Sequence, residues 1–294
     1  MTLGSRLLLI VLWLLHWLPL ALLAPLGRGL GRVLHALAGS RRSIARRNIE
    51  LCFPDMARSQ REALVREHFQ WLGRSIVERG LLWWAPTERL KRLIHVEGDV
   101  TLAEHSQRPV MWLVPHFMAL DVAGAATQLF QKQQVASIYQ EQSDEIMDEA
   151  IRRGRLRFKQ GEVFPRSDSA KPLIRAIRKG WAFFNLPDMD FGRKDAAFVP
   201  FFGVPAATLL APSRMARALD MVVQPVVAEM LPGGRGYRVR FLDPWTQFPS
   251  DDALADTAAM NRWIESEIRR NPAQYLWVHK RFKTRPVGET SLYA

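Results

Sequence analysis

His116 and Asp121 stand five residues apart, and this is the pairing with the most chemical content in the chain. A carboxylate on one imidazole nitrogen fixes the tautomer and leaves the other nitrogen free to take a proton, as a general base must. The spacing sets a condition. In one continuous helix, residues five apart point about 140° apart, so the two side chains would not meet. The pairing therefore needs His116 in a turn and Asp121 in the first turns of a following helix, reaching back. A helix N-terminus beside His116 also favours the neutral imidazole. A capping or core histidine with an unrelated aspartate meets the same spacing by chance, so the neighbouring sequence has to decide.

Three further places carry reactive side chains. Asp188 and Asp190 follow the apolar run Trp181–Leu186. Carboxylates just past a buried strand point to a site, because ligands collect at strand ends in α/β sheets. A turn cap is the bland alternative. Paired aspartates also suit a divalent ion, but proton transfer through histidine needs none, and no metal or cofactor is expected. Arg166 follows the short apolar run Val163-Phe164-Pro165, with Arg153 and Arg155 nearby as competing cations. Cys52 is the sole cysteine and sits beside the break at Pro54-Asp55. It excludes an intrachain disulfide and a Cys-rich metal site, fits a reducing compartment, and reads as structural.

The elements that must position these residues follow from periodicity. Leu93–Val96, Val110–Val114, Val135–Tyr139, Trp181–Leu186, Val222–Val227 and Tyr237–Phe241 read as strands, with helices between several of them. Alternation of this kind predicts an α/β fold, a sheet covered by helices. Ala253–Arg269 reads as a late helix. Ser59 reads as the N-cap of a helix that runs to about Trp84, with Glu62 completing a capping box. Residues 27–53 read as a basic helix, its arginines facing either anionic head groups or solvent.

Leu7–Leu26 is almost wholly apolar and is interrupted by His16, Pro19 and Pro25. Its length suffices to span a bilayer. Arginines crowd its C-terminal flank, which predicts an inner-membrane protein with its body on the cytoplasmic face. Because the prolines can bend the segment, a helix pair lying in the membrane interface is also open. The expected organisation is a membrane anchor over 1–26, a basic helical region over 27–92 and a catalytic domain over 93–294. The formal charge of +12 draws polyanions. No zinc-finger, RRM-like or Gly-rich phosphate-cradling motif accompanies it, which disfavours nucleic acid.

Around His116 the chain resembles the lipid A biosynthesis (Kdo2-lipid IVA type) acyltransferases. They are a branch of the lysophospholipid acyltransferase superfamily, whose hallmark is H-x4-D. The likeness also rests on Arg46–Pro54 (RRNIELCFP), Leu186–Gly192 (LPDMDFG), Phe198–Thr208 (FVPFFGVPAAT) and Gln274–Pro286 (QYLWVHKRFKTRP). These stretches keep their expected order over nearly the whole chain. Met189 departs from the glutamine many members carry, which bears on substrate contacts and not on class.

The resemblance implies a mixed sheet covered by helices, like that of glycerol-3-phosphate acyltransferase. It implies transfer of an acyl chain from an acyl carrier protein thioester to the hydroxyl of a 3-hydroxyacyl chain on a lipid A precursor. His116 would be the base, Asp121 its partner, and Phe117, Arg166, Asp188, Met189 and Asp190 substrate-binding residues, with Arg153 and Arg155 as further candidates. Implied partners are the acidic carrier protein, the phosphorylated acceptor and an anionic membrane, and no nucleic acid. The basic, aromatic stretch Trp277–Arg285 would meet a lipid phosphate, the carrier protein or the membrane, or else form a last strand with a solvated tail. Rival readings are an H-x4-D acyltransferase acting on another glycolipid or aminolipid, and a non-catalytic membrane-binding protein. A hydrolase lacks its G-x-S-x-G elbow.

Overall fold

A computed structural model describes residues 2–158, 161–167 and 170–293. Met1 and Ala294, the outer bounds of the expected anchor and catalytic regions, lie outside them. Six helices come first: α1 (Thr2–Leu15), α2 (Leu20–Leu37), α3 (Gly39–Cys52), α4 (Arg58–Val77), α5 (Arg79–Trp84) and α6 (Thr87–Leu93). Strands and helices then alternate: β1 (Ile94–Gly98), α7 (Leu102–His105), β2 (Val110–Leu113), α8 (Leu120–Leu129), β3 (Val135–Tyr139), α9 (Glu145–Arg155), β4 (Gly161–Pro165), α10 (Lys171–Arg178) and β5 (Ala182–Asn185). A hairpin of β6 (Ala196–Phe201) and β7 (Val204–Leu209) follows, then α11 (Ala211–Ala218), β8 (Val222–Met230), β9 (Tyr237–Phe241) and α12 (Ala253–Arg270).

The main sheet is seven-stranded in the order β1-β9-β8-β2-β5-β3-β4. It is parallel except between β8 and β9. Every residue of β2 is buried, as a central strand covered on both faces requires. The α/β fold expected from periodicity is the one found, and its sheet is mixed, as the resemblance implied. Two things escaped the pattern: β4 and the β6–β7 hairpin, whose aromatic run had no strand period of its own.

The N-terminal run corrects the expected anchor. Leu7–Leu26 is not one helix. α1 ends at Leu15 and α2 begins at Leu20, with a turn between. Pro19 brings no N–H to a helical ladder and steers the preceding residue away from helical angles. At 1.5 Å per residue the 14 residues of α1 reach about 21 Å, short of the roughly 30 Å hydrocarbon core. Among the described residues no helix is long and apolar enough to cross a membrane. The expected transmembrane helix is therefore not formed. The inner-membrane location with a cytoplasmic catalytic face, which rested on it, is overturned.

The two helices pack on the protein instead. Leu12, Leu20 and Leu23 are buried in one cluster with Leu81, Trp112 and Val226. Arg89 donates to the carbonyls of His16 and Leu18 in the break. The next boundary also shifts. α4 starts at Arg58, with Gln60 Oε1 accepting from Ala57 N (3.2 Å), so Ser59 lies inside the helix. Its end at Val77 separates off α5. Glu78 between them is buried, 2.5 Å from Arg74 Nε, and accepts from Tyr237 Oη at 2.8 Å. That network ties the helices to β9.

Candidate active site

β2 and β5 are parallel neighbours, with Leu113 opposite Asn185. Three residues beyond that pair, both chains have left the C-terminal edge of the sheet, and His116 meets Asp188. Asp188 Oδ1 lies 2.6 Å from His116 Nδ1, while Oδ2 accepts from the His116 backbone N–H at 2.9 Å. Asp188 is fully buried. Burial alone would raise its carboxyl, but the His116 ring, its backbone N–H and Arg281 outweigh that and hold it below the ordinary range. An ionised Asp188 makes Nδ1 the protonated nitrogen, donating to Oδ1. Nε2 has no hydrogen-bond partner among the described residues, and the His116 side chain is 13% exposed. An imidazole with a fixed tautomer and a free ring nitrogen is thus in place.

The segment carrying His116 is held from behind by the chain after α12. Leu276 N donates to His116 O (2.9 Å) and Met118 N to Gln274 O (2.8 Å), with Phe117 bridged to Tyr275 between them. The Tyr275 hydroxyl is pushed well up by burial and by Asp188 beside it, so it stays protonated. His279 accepts at Nε2 from Asp190 N (3.3 Å). Burial, then His116, lower it to about 4, which keeps it neutral near pH 7.

Asp121 sits in the first turn of α8, as expected, but it faces elsewhere. Its partners are Arg79 (3.0 Å) and Arg155 (3.3 Å). Burial alone would raise its carboxyl, but the two arginines outweigh burial and hold it low. The carboxylate that orients His116 is Asp188, which corrects the pairing expected from H-x4-D. The reason is geometric. Leu120, Asp121, Gly124 and Gln128 form one face of α8, and that face looks into a cavity toward α5 and α9.

This partly open cavity is lined mostly by apolar residues. Leu120, Gly124 and Ala125 come from α8, Phe184 and Leu186 from the β5 end, and Leu82 and Trp83 from α5. Asp121, Arg155 and Glu162 are the charged residues on its wall, the first two paired with each other. Apolar walls with a few placed charges suit a long hydrocarbon carrying a polar end.

The other expected residues scatter. Asp190 accepts from Thr284 N and Oγ1, both at 2.7 Å, and from Gly192 N (3.0 Å), so it clasps the C-terminal segment. Phe117 is buried with its ring edge-on to Tyr275. Met189 is half-buried beside Asp188. Exposed Arg166 lies with its guanidinium 3.9 Å from the centre of the Phe191 ring. Arg153 is exposed and paired with Glu149. Cys52 is buried, and burial pushes its thiol well up, which fits a structural role. The basic stretch after Trp277 turns inward. Arg281 is buried, donating to Ala207 O (2.9 Å) and Thr208 Oγ1 (2.7 Å), and Arg285 donates to Pro205 O. Among the described residues no group of three or more His, Cys, Asp or Glu could hold a metal ion.

Sequence reasoning passed over Arg79, Trp83 and Tyr275 as site residues, and took His279 only as part of the basic stretch Trp277–Arg285. The position of Asp188 after a buried strand was the signal that placed it at a site, though not as the partner of His116.

The family described as "Bacterial lipid A biosynthesis acyltransferase" matches residues 2–284 of this chain. The lipid A biosynthesis palmitoleoyltransferase of Escherichia coli (strain K12) is 36% identical over 286 residues, covering 96% of this chain and 92% of that protein. The lipid A biosynthesis lauroyltransferase of the same organism is 34% identical, with the same coverage. A solved structure, the 1-acyl-sn-glycerophosphate (LPA) acyltransferase PlsC from Thermotoga maritima, is similar over 85% of this chain and 94% of that one, at 14% identity and a TM-score of 0.38. A likeness that slight carries no argument.

Proposed function

The chain belongs to the bacterial lipid A biosynthesis acyltransferase family and is an acyltransferase of late lipid A acylation, and we propose the reaction it performs there. The donor is an acyl thioester on acyl carrier protein. The acceptor is the hydroxyl of a 3-hydroxyacyl chain on a lipid A precursor. His116 Nε2 takes the hydroxyl proton as the oxygen attacks the thioester carbonyl carbon. The tetrahedral oxyanion collapses, the C–S bond breaks, and the departing thiolate receives the proton from Nε2. An acyloxyacyl ester forms. The observation that carries this reading is the bond from His116 Nδ1 to buried, ionised Asp188, which leaves Nε2 free.

Asp188 keeps the tautomer and stabilises the imidazolium. A positioned base of this kind contributes on the order of 10²–10⁴-fold, and the remainder comes from positioning and from charge at the oxyanion. Asp121 acts by holding Arg79 and Arg155. Arg155 lies on the wall of the cavity that takes the acyl chain. Exposed Arg166 meets an acceptor phosphate, and Met189, next to Asp188, lies against the acceptor. The net charge of +12 concentrates the acidic carrier protein and the phosphorylated acceptor. Exposed Leu7, Ile10, Trp13 and Trp17 on and just after α1 support peripheral contact with an anionic lipid surface.

The test is transfer of labelled acyl groups from acyl carrier protein to Kdo2-lipid IVA in detergent, for wild type and His116→Ala. Loss of about 10³-fold or more in a folded variant is expected. Undiminished transfer by His116→Ala would remove the histidine from the mechanism. Absence of transfer by wild type across several acyl lengths and precursors would remove the reaction.

A further inference from the structure

Trp83 and Gly154 line two cavities at once. One is the largely apolar cavity beside Asp121, and the other is an open groove under α1. The groove's walls include Leu9 of α1, Trp84 of α5, and Ile146 and Ala150 of α9, with the charged residues Glu145, Glu149, Arg153 and Arg157 at its sides. Trp83 and Gly154 therefore stand as the partition between the cavity and the groove. The partition is tight. A Cβ placed on Gly154 would lie 2.1 Å from Trp83 Cδ1, so the indole rests on bare glycine backbone. Trp83 is only 8% exposed.

The partition is also held in place. Arg157 donates to the carbonyls of Leu82 and Ala85, both at 2.7 Å, and caps the C-terminal end of α5. Arg79, on the same six-residue helix, is 3.0 Å from Asp121. One short helix thus connects the H-x4-D aspartate to the indole. A hydrocarbon entering beside Asp121 and running past Gly124 meets this ring as an obstacle, with apolar space behind it.

We propose that Trp83, seated on Gly154, is the end wall of the acyl cavity and sets the longest fatty acyl chain the enzyme transfers, and that the groove under α1 becomes the continuation of the cavity once the indole is removed. This rests on the acyl-transfer reading above. The chemistry is steric. A methylene that has nowhere to go costs a discriminating factor per carbon, and apolar pockets sort chains on this basis. The groove already presents Leu9, Trp84, Ile146 and Ala150 between its charged sides, so a longer chain needs only passage past the indole to reach apolar surface.

The test compares full-length wild type, Trp83→Ala and Trp83→Phe in competition assays. Lauroyl, myristoyl, palmitoyl and stearoyl carrier proteins are mixed with Kdo2-lipid IVA, and products are resolved by mass. Trp83→Ala is expected to raise the transfer of chains beyond the wild-type optimum, relative to that optimum, by about tenfold or more. Trp83→Phe, which keeps an aromatic ring in place and guards against a folding defect, is expected to shift it by less in the same direction. A second arm uses a fatty acid bearing a terminal diazirine, with cross-linked peptides identified after irradiation. In wild type the label is expected near Trp83 and Gly154, and in Trp83→Ala on α1 and Trp84. Unchanged chain preference in both folded variants, or labelling of α1 already in wild type, overturns the proposal. If wild type transfers no chain to any precursor, the reaction has failed while the cross-linking arm still decides whether Trp83 ends the cavity.

Discussion

At the residue scale, two aspartates divide the work that one was expected to do. Asp188 holds the imidazole, and Asp121 holds two arginines at the apolar cavity. Their neutral amides are predicted to fail differently. Asp188→Asn keeps the shape but loses the charge that fixes the Nδ1–H tautomer. Its kcat is expected to fall by about 10³-fold, with KM little changed. Asp121→Asn frees Arg79 and Arg155, so KM for the acyl donor should rise along with a smaller loss in kcat. Steady-state kinetics on both variants, alongside their melting temperatures, separates the two. Equal kcat losses at unchanged KM would return Asp121 to direct work on His116.

At the element scale, the crossing of α2 and α4 is a backbone contact made by glycines. A Cβ on Gly73 would lie 2.2 Å from Gly27 O, and one on Gly31 would lie 2.1 Å from Phe69 O. Backbone cannot yield as a flexible side-chain tip does, so the helices must part. Gly73→Ala is expected to cost about 1–3 kcal/mol from such overpacking. Gly29, on the open side of α2, has nothing within 4 Å of its Cβ position. Gly29→Ala should instead stabilise the helix by about 0.5–1 kcal/mol through backbone entropy. Chemical denaturation of the pair provides the check: a gain at Gly73 equal to that at Gly29 would mean propensity, not contact, governs the crossing.

At the scale of the whole molecule, acid tests how the helical N-terminal part is joined to the chain after α12. His68 on α4 is fully buried, its Nδ1 bonded to Ala273 O at 3.1 Å. Burial lowers it to about 4 from the usual 6.5. Between those values the unfolded chain binds the proton and the folded chain does not, so stability falls as pH drops from about 6.5 to about 4 and the loss levels off below. A shift of this size corresponds to on the order of 3 kcal/mol. His68→Gln removes the titrating group. Its unfolding free energy relative to wild type should therefore move by roughly that amount in its favour between pH 7 and pH 4, measured by urea denaturation at each pH. A difference that stays flat would show that His68 is free to protonate in the folded chain.

Strand–helix alternation, the apolar runs of the central strands and the ordered motifs around His116 determined the α/β class and the family by themselves, because those signals are local in the chain. The run Leu7–Leu26 also held its own correction. Pro19 was visible, but hydropathy counts side chains and ignores a missing backbone donor. Tertiary structure alone decided the partner of His116. His116 and Asp188 are far apart in sequence, and only the parallel register of β2 and β5, with Leu113 opposite Asn185, brings them together. Tertiary structure also decided that Arg281 and Arg285 face inward, since a basic run reads the same whether its guanidinium groups meet water or buried carbonyls. The cavity and its Trp83 wall belong to the same class. They are the space left between α5, α8, α9 and the sheet, and no local pattern encodes a space bounded by four elements.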